Sequence, residues 1–150
     1  MSAAQTLWQA NALWPGPLIV ERLIDQVPGL RAVQLLDELD PATNAPQQVP
    51  AAVVLLDRMG PTDTQALRSH VVVQQDWLVA LAVRSAAPTG DRNSAQIGVL
   101  MPAVIKALQG WAPGGEQQLR ALTWQPGTRP QYGRDMSYWP LLFSLQVITA

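Results

Sequence analysis

One cooperative core fits a chain of 150 residues and two ordinary domains do not, so residues 1–150 are expected to form a single domain. Hydrophobic residues make up 48% of it and charged residues only 14%, against roughly 25% charged in ordinary soluble domains. A net charge of −1 without any basic run excludes the electrostatic footprint of a nucleic-acid binder, and the lack of cysteine excludes disulfides, thiolate catalysis and Cys-ligated metals.

Leu7, Trp8, Leu13 and Trp14 precede the first regular pattern, so residues 1–17 form an N-terminal arm or a short helix. Leu18, Ile19, Leu23, Ile24 and Val27 then recur at helical spacing, with Glu21, Arg22, Asp25 and Gln26 on the other side. That spacing predicts an amphipathic helix over 18–27, entered at Pro15 and Pro17 and ended by Pro28-Gly29. A strand follows from Leu30 to Leu39, then a polar loop from Asp40 to Pro50. Ala51 to Leu56 is almost wholly apolar, the pattern of a buried central strand. Asp57 to Ser69 is polar, contains Gly60-Pro61 and is expected to be an exposed connection.

The clearest strand runs from His70 to Arg84. Val71, Val73, Trp77, Val79, Leu81 and Val83 share one parity, with Gln75 the exception, and Gln74, Asp76 and Arg84 take the other. Alternation over this length predicts one face in the core, and a bulge near Gln75-Asp76 is expected because the strand exceeds the usual length. After a loop from Ala86 to Asn93, Ser94 to Gln109 has helical periodicity, with Ser94 as candidate N-cap and Gly110 at the C-cap glycine position. Pro102 inside this helix is expected to kink or break it. Gly114-Gly115 marks a turn, Leu119 to Gln125 a strand, Pro126 to Asp135 a loop, and Tyr138 to Ile148 a final strand. The element order lacks βαβ alternation, so the fold class is α+β, with a mixed or mainly antiparallel sheet packed against two main helices.

Candidate chemistry is sparse. His70 is the single histidine, and a catalytic imidazole needs an orienting carboxylate and a nucleophile that spacing does not supply. Asp37, Glu38 and Asp40 could bind a hard cation or act as an acid/base pair, but the same residues end a strand and keep its edge soluble. Gly114-Gly115 lacks a following Lys-Ser or Lys-Thr, and no GxGxxG pattern occurs. No cofactor, metal site or catalytic residue is expected. The N-terminus carries no charged segment followed by an apolar stretch, and no apolar run reaches the ~18 residues needed to span a bilayer, so a soluble protein made in the cytoplasm is expected.

What stands out is composition suited to assembly. Nine of the ten basic residues are Arg, the exception being Lys106, and six residues are Trp. Assembly surfaces lose charge at their centres and gain aromatic residues and Arg, although a genomic bias towards Arg codons gives the same count. The long loops offer Arg58, Arg68, Arg92, Arg129, Tyr132, Arg134 and Asp135 as candidate contact residues for neighbouring proteins.

From Ala51 onward the order of features resembles the tail terminator proteins of long-tailed bacteriophages. The matching pieces are PAAVVLL (Pro50 to Leu56), QQDWLVALAVRS (Gln74 to Ser85), a helix closing in ALQGWAP (Ala107 to Pro113), and YWPLLFSLQVIT (Tyr138 to Thr149). The N-terminal LIVERLIDQVPGL also fits, and Pro102 is a departure. The resemblance implies a tail-terminator-like fold and a structural, non-enzymatic role. It implies a hexameric ring that caps the head-proximal end of the tail tube, ends tail polymerisation and offers the head-joining surface. Its partners would be copies of itself, the tail tube protein and a head–tail connector or neck protein, with no nucleic acid and no membrane. Such a protein assembles in the host cytoplasm and ends in the virion tail, in a phage or a prophage. The alternatives are another neck or tail-completion protein that binds the connector, and a small ligand-binding domain.

Overall fold

A computed structural model describes residues 3–39, 45–62, 71–84, 91–114, 120–126, 129–132 and 135–148. Three helices and six strands follow in the order α1 (Ala3–Ala10), α2 (Pro15–Gln26), β1 (Ala32–Leu35), β2 (Ala51–Pro61), β3 (Val72–Arg84), α3 (Asp91–Leu108), β4 (Arg120–Gln125), β5 (Gln131–Tyr132) and β6 (Met136–Ile148). The class is α+β, as the sequence implies. The strands form one sheet in the order β1-β2-β3-β6-β4, with β5 also beside β6. Only the β1–β2 pair is parallel among these, so the sheet is mixed and mostly antiparallel. β3 and β4 both run antiparallel to β6, so α3 is a crossover between two strands of the same direction that leaves room for β6.

The core lies between the sheet and the layer of α2 and α3. Ile19 and Leu23 from α2, Val104 and Leu108 from α3, and Val54, Val79, Leu81, Phe143 and Leu145 from the strands are all fully buried there. α2 begins at Pro15 rather than Leu18, because proline suits the first helical turn, where no N–H partner is required. A Cβ on Gly16 would lie 2.8 Å from Trp77 Cη2 and 3.1 Å from Leu35 Cδ1, so glycine lets α2 start this close to the sheet. Arg22 ties the two helices together: its Nε donates to the Ala107 carbonyl at 3.0 Å, and its guanidinium lies 5.0 Å from the Trp111 ring centre. A cation at the last carbonyls of α3 is also favoured by the helix dipole.

Several local expectations need correction. β2 continues through Arg58 to Pro61, so the first part of the expected 57–69 connection is strand. The bulge sits in β2, between Leu56 and Arg58, opposite Trp77 and Asp76, while β3 pairs with β6 without interruption. Asp57 therefore absorbs the irregularity expected of β3. α3 begins at Asp91, which puts Arg92 inside a helix and Ser94 within its first turn rather than at its N-cap. It also runs unbroken through Pro102. The bond that proline forfeits would run to the Gly98 carbonyl, and both residues are exposed, so water can serve that carbonyl. β1 is shorter than expected, and β5 lies inside the expected 126–135 loop.

β3 is buried on both faces. The face away from the helices carries rows set by register: Ala51–Ala82–Tyr138, then Val53–Ala80–Pro140, then Leu55–Leu78–Leu142. Beyond them it turns polar, with Arg58–Asp76–Ser144–Thr123 and Gly60–Gln74–Gln146–Arg120. Small residues at Ala51, Ala80 and Ala82 are nearly or fully buried there, so a single-sided reading of the strand does not hold.

Candidate protein interface

A sheet that assembles side by side must first deal with its edges, because unpaired backbone groups on an outer strand recruit foreign strands. The outer edge of β4 is closed from within. Gly110, in the left-handed region at φ 77°, turns the chain out of α3 so that its N–H donates to the Leu122 carbonyl at 2.8 Å. Leu122 N–H in turn donates to the Trp111 carbonyl at 3.0 Å. One turn further, Trp124 N–H donates to Gln109 Oε1 at 2.7 Å. This is what the Gly-Trp junction after α3 accomplishes: it occupies β4 with its own chain. The opposite edge, β1, is only four residues long, another common way of blunting an edge.

Side chains are therefore the better carriers of a contact, and two apolar surfaces lie at opposite ends of the sheet on its helix side. At the β5 end, Ile97, Met101, Pro102, Ile105, Lys106 and Trp139 line an open groove of about 570 Å³ between α3 and β6. Tyr132, 71% exposed, stands beside it and meets Trp139 edge-to-face at 5.9 Å. Val99, 74% exposed, shares the α3 surface of Pro102 and Lys106 at i+3 and i+7. At the β1 end, Leu13, Leu35 and Met59 are all exposed. Asn11, Leu13, Leu35 and Asp37 border a hollow there that reaches down to Trp77.

Gln75 fixes that second end. Its side chain is fully buried on the core face; Nε2 donates to the Ala12 carbonyl at 2.7 Å and contacts Met59 Sδ at 3.3 Å, while Oε1 accepts from Trp77 Nε1 at 2.9 Å. The parity exception in β3 is thus the residue that docks the elbow between α1 and α2. On the other face, buried Asp76 accepts from the Ser144 hydroxyl and from Gln74 Nε2, and faces Arg58 Nε at 3.4 Å. The Arg58 side chain is 77% exposed, so the pair costs little desolvation on the cationic side.

The loop residues nominated from sequence are scattered. Arg58 lies in β2, and Tyr132 in β5 beside the groove. Arg129 and Asp135 are exposed on either side of β5, and Arg92 is in the first turn of α3. Arg68 and Arg134 lie outside the described residues, as do His70 and Asp40. Asp37 and Glu38 are exposed. Lys106, Trp139 and Asp37 at the two surfaces were not nominated as contacts; for Lys106 the signal was the flank of α3 formed by residues 98, 102, 105 and 106, and Trp139 and Asp37 carried none of that kind. Among the described residues no three of His, Asp and Glu come together to hold a metal ion. Among them also, no helix is long and apolar enough to cross a membrane.

The family model described as phage tail terminator protein matches residues 9–150, nearly the whole chain. The chain belongs to the phage tail terminator family. It is thereby a structural component of a phage tail, and the virion tail is where the family acts. No match was found among curated protein sequences. For a tail terminator, the sealed β4 edge and two separated apolar surfaces are features of a protein that meets other subunits through chosen faces. The family match takes in α2 and every strand, so both surfaces fall within it.

Proposed function

We propose that this tail terminator family member forms a closed, hexameric ring that caps the head-proximal end of the tail tube. In that position it ends polymerisation of the tube protein and offers the surface to which the head, through a connector or neck protein, is joined. It assembles in the host cytoplasm and works by surface complementarity alone, without catalysis or a cofactor. The observation that carries this reading is the family match across residues 9–150. Low charge and six tryptophans, of which Trp124 remains 47% exposed, support it. Arg58, Arg129, Tyr132 and Asp135 remain candidates for contacts with the tube or neck.

Adding the purified protein to polymerising tube subunits is the direct test. Tubes are expected to stop at a length set by the time of addition, with a ring on one end in electron micrographs. Tubes that lengthen unchecked, without a ring at either end, would refute the proposal. A protein that binds the connector and never closes a ring is the outcome expected of a different neck or tail-completion component.

A further inference from the structure

We propose that the groove between α3 and β6 of one copy packs against the Leu13–Leu35 rim of a second copy, with Lys106 of the groove paired to Asp37 of the rim. This rests on the ring reading above and names the surfaces that would close the ring.

Three observations carry it. First, the two surfaces are different and lie at opposite ends of one sheet, β5–β6 against β1, on the same helix side. A patch that meets a different patch on the next copy gives a head-to-tail contact, and rotation closes such contacts into rings. Second, both surfaces are apolar. The groove is open and lined almost wholly by apolar side chains, and Leu13 and Leu35 stand 38% and 43% exposed at the rim of the hollow on the far edge.

Third, the charges match. Among the described residues Lys106, the chain's single lysine, is the one charged residue lining the groove, and Asp37 the one bordering the hollow. Both are exposed, and among the described residues neither has an ion-pair partner within its own chain. Along β4 the outer backbone groups of Leu122 and Trp124 are engaged by the chain leaving α3, which favours side-chain docking as the mode of contact. Opposite charges at an otherwise apolar contact fix its register and reject wrong partners.

The test uses the full chain and three variants, Lys106→Glu, Asp37→Lys and the double exchange, measured by light scattering across a concentration series and by electron microscopy with tail tubes. Because both side chains are exposed, circular dichroism is expected to be unchanged. Each single reversal should raise the concentration needed for ring formation at least about tenfold, and the double exchange should restore it. An equimolar mixture of the two single variants should also assemble, since copies alternating around an even-numbered ring rebuild a matched pair at every contact. Wild-type rings together with single variants that assemble normally, or a double exchange that does not recover, would overturn this contact and leave the ring reading standing. Single variants that keep their rings but lose the tube or the neck would overturn it too, and give the groove to a different partner. A wild-type protein that stays monomeric both alone and on tube ends would remove the ring reading, and this contact with it.

Discussion

Replacing Gln75 by Met keeps the length and approximate volume of the side chain while deleting both its donor and its acceptor. Two partners then lose their bond: the Trp77 indole N–H, on a residue 2% exposed, and the Ala12 carbonyl, on a half-buried residue. A buried polar group without a partner costs about 1–3 kcal/mol. Trp77 should sit near the top of that range, and Ala12, within reach of water, near the bottom. Methionine recovers roughly 1 kcal/mol through its apolar tail. The net loss is therefore about 2–3 kcal/mol, which for a chain of this size lowers the melting midpoint by roughly 4–10 °C. Urea titration followed by tryptophan fluorescence, at one fixed protein concentration because assembly adds to apparent stability, measures it. Gln74→Met is the control: the neighbouring side chain is half-buried, faces the other side and donates to Asp76. The reasoning fails if Gln75→Met unfolds at the wild-type midpoint, or if the Gln74 variant loses as much.

Gly16→Ala should cost about 1–3 kcal/mol by forcing a methyl group against Trp77 and Leu35, whereas Gly98→Ala, with open space around its Cβ, should gain about 0.5–1 kcal/mol in the same urea assay. Gly110→Ala should lose about 1–2 kcal/mol from its left-handed backbone and expose β4, seen as faster amide exchange at Leu122. Ser144→Ala removes a bond to a buried carboxylate and should cost about 1.5–3 kcal/mol, against less than about 1 kcal/mol for Arg58→Ala, whose side chain is in solvent; equal losses would contradict the assignment. Burial pushes the Tyr138 phenol above its ordinary value, so the folded state holds that proton more tightly. Its contribution is complete below about pH 10 and is lost as pH rises through the raised value, so stability should fall in alkali and the fall should be shallower in Tyr138→Phe. Because the Tyr138 hydroxyl has no hydrogen-bond partner among the described residues, the same variant should be no less stable at neutral pH.

Where packing follows from period, the residues announce the fold. The alternation of Val71 to Val83 and the spacing of Ile19, Leu23 and Val27 place β3 and α2 because burying an apolar face is a local property of the pattern. What depends on a distant partner is silent. Nothing in Asp57 to Pro61 says that this polar stretch is strand; its conformation is imposed by Asp76, Gln75 and Gln74 across the ladder. Tyr132 is likewise strand only because β6 passes beside it. Gln75 broke its own parity, and the exception was informative: a polar residue on a core face must have buried partners, here Trp77 two residues on and Ala12, which no local window contains.

The same distinction governs the candidate interface. Its family was legible in the order of elements, but the loops looked like the carriers of contact because they held the arginines. Loop charge reports solvent as readily as it reports a partner. A contact surface needs instead apolar area that the chain's own fold leaves uncovered, and that becomes visible only when α3 is laid on the sheet. The helix buries Val104 and Leu108 and presents Pro102, Ile105 and Lys106 past the end of β4, where β6 has no long outer neighbour. The proline that made the helix doubtful in sequence lies on that uncovered surface, and because the Gly98 carbonyl it leaves without a helical donor is exposed as well, water can serve that carbonyl and the helix runs on.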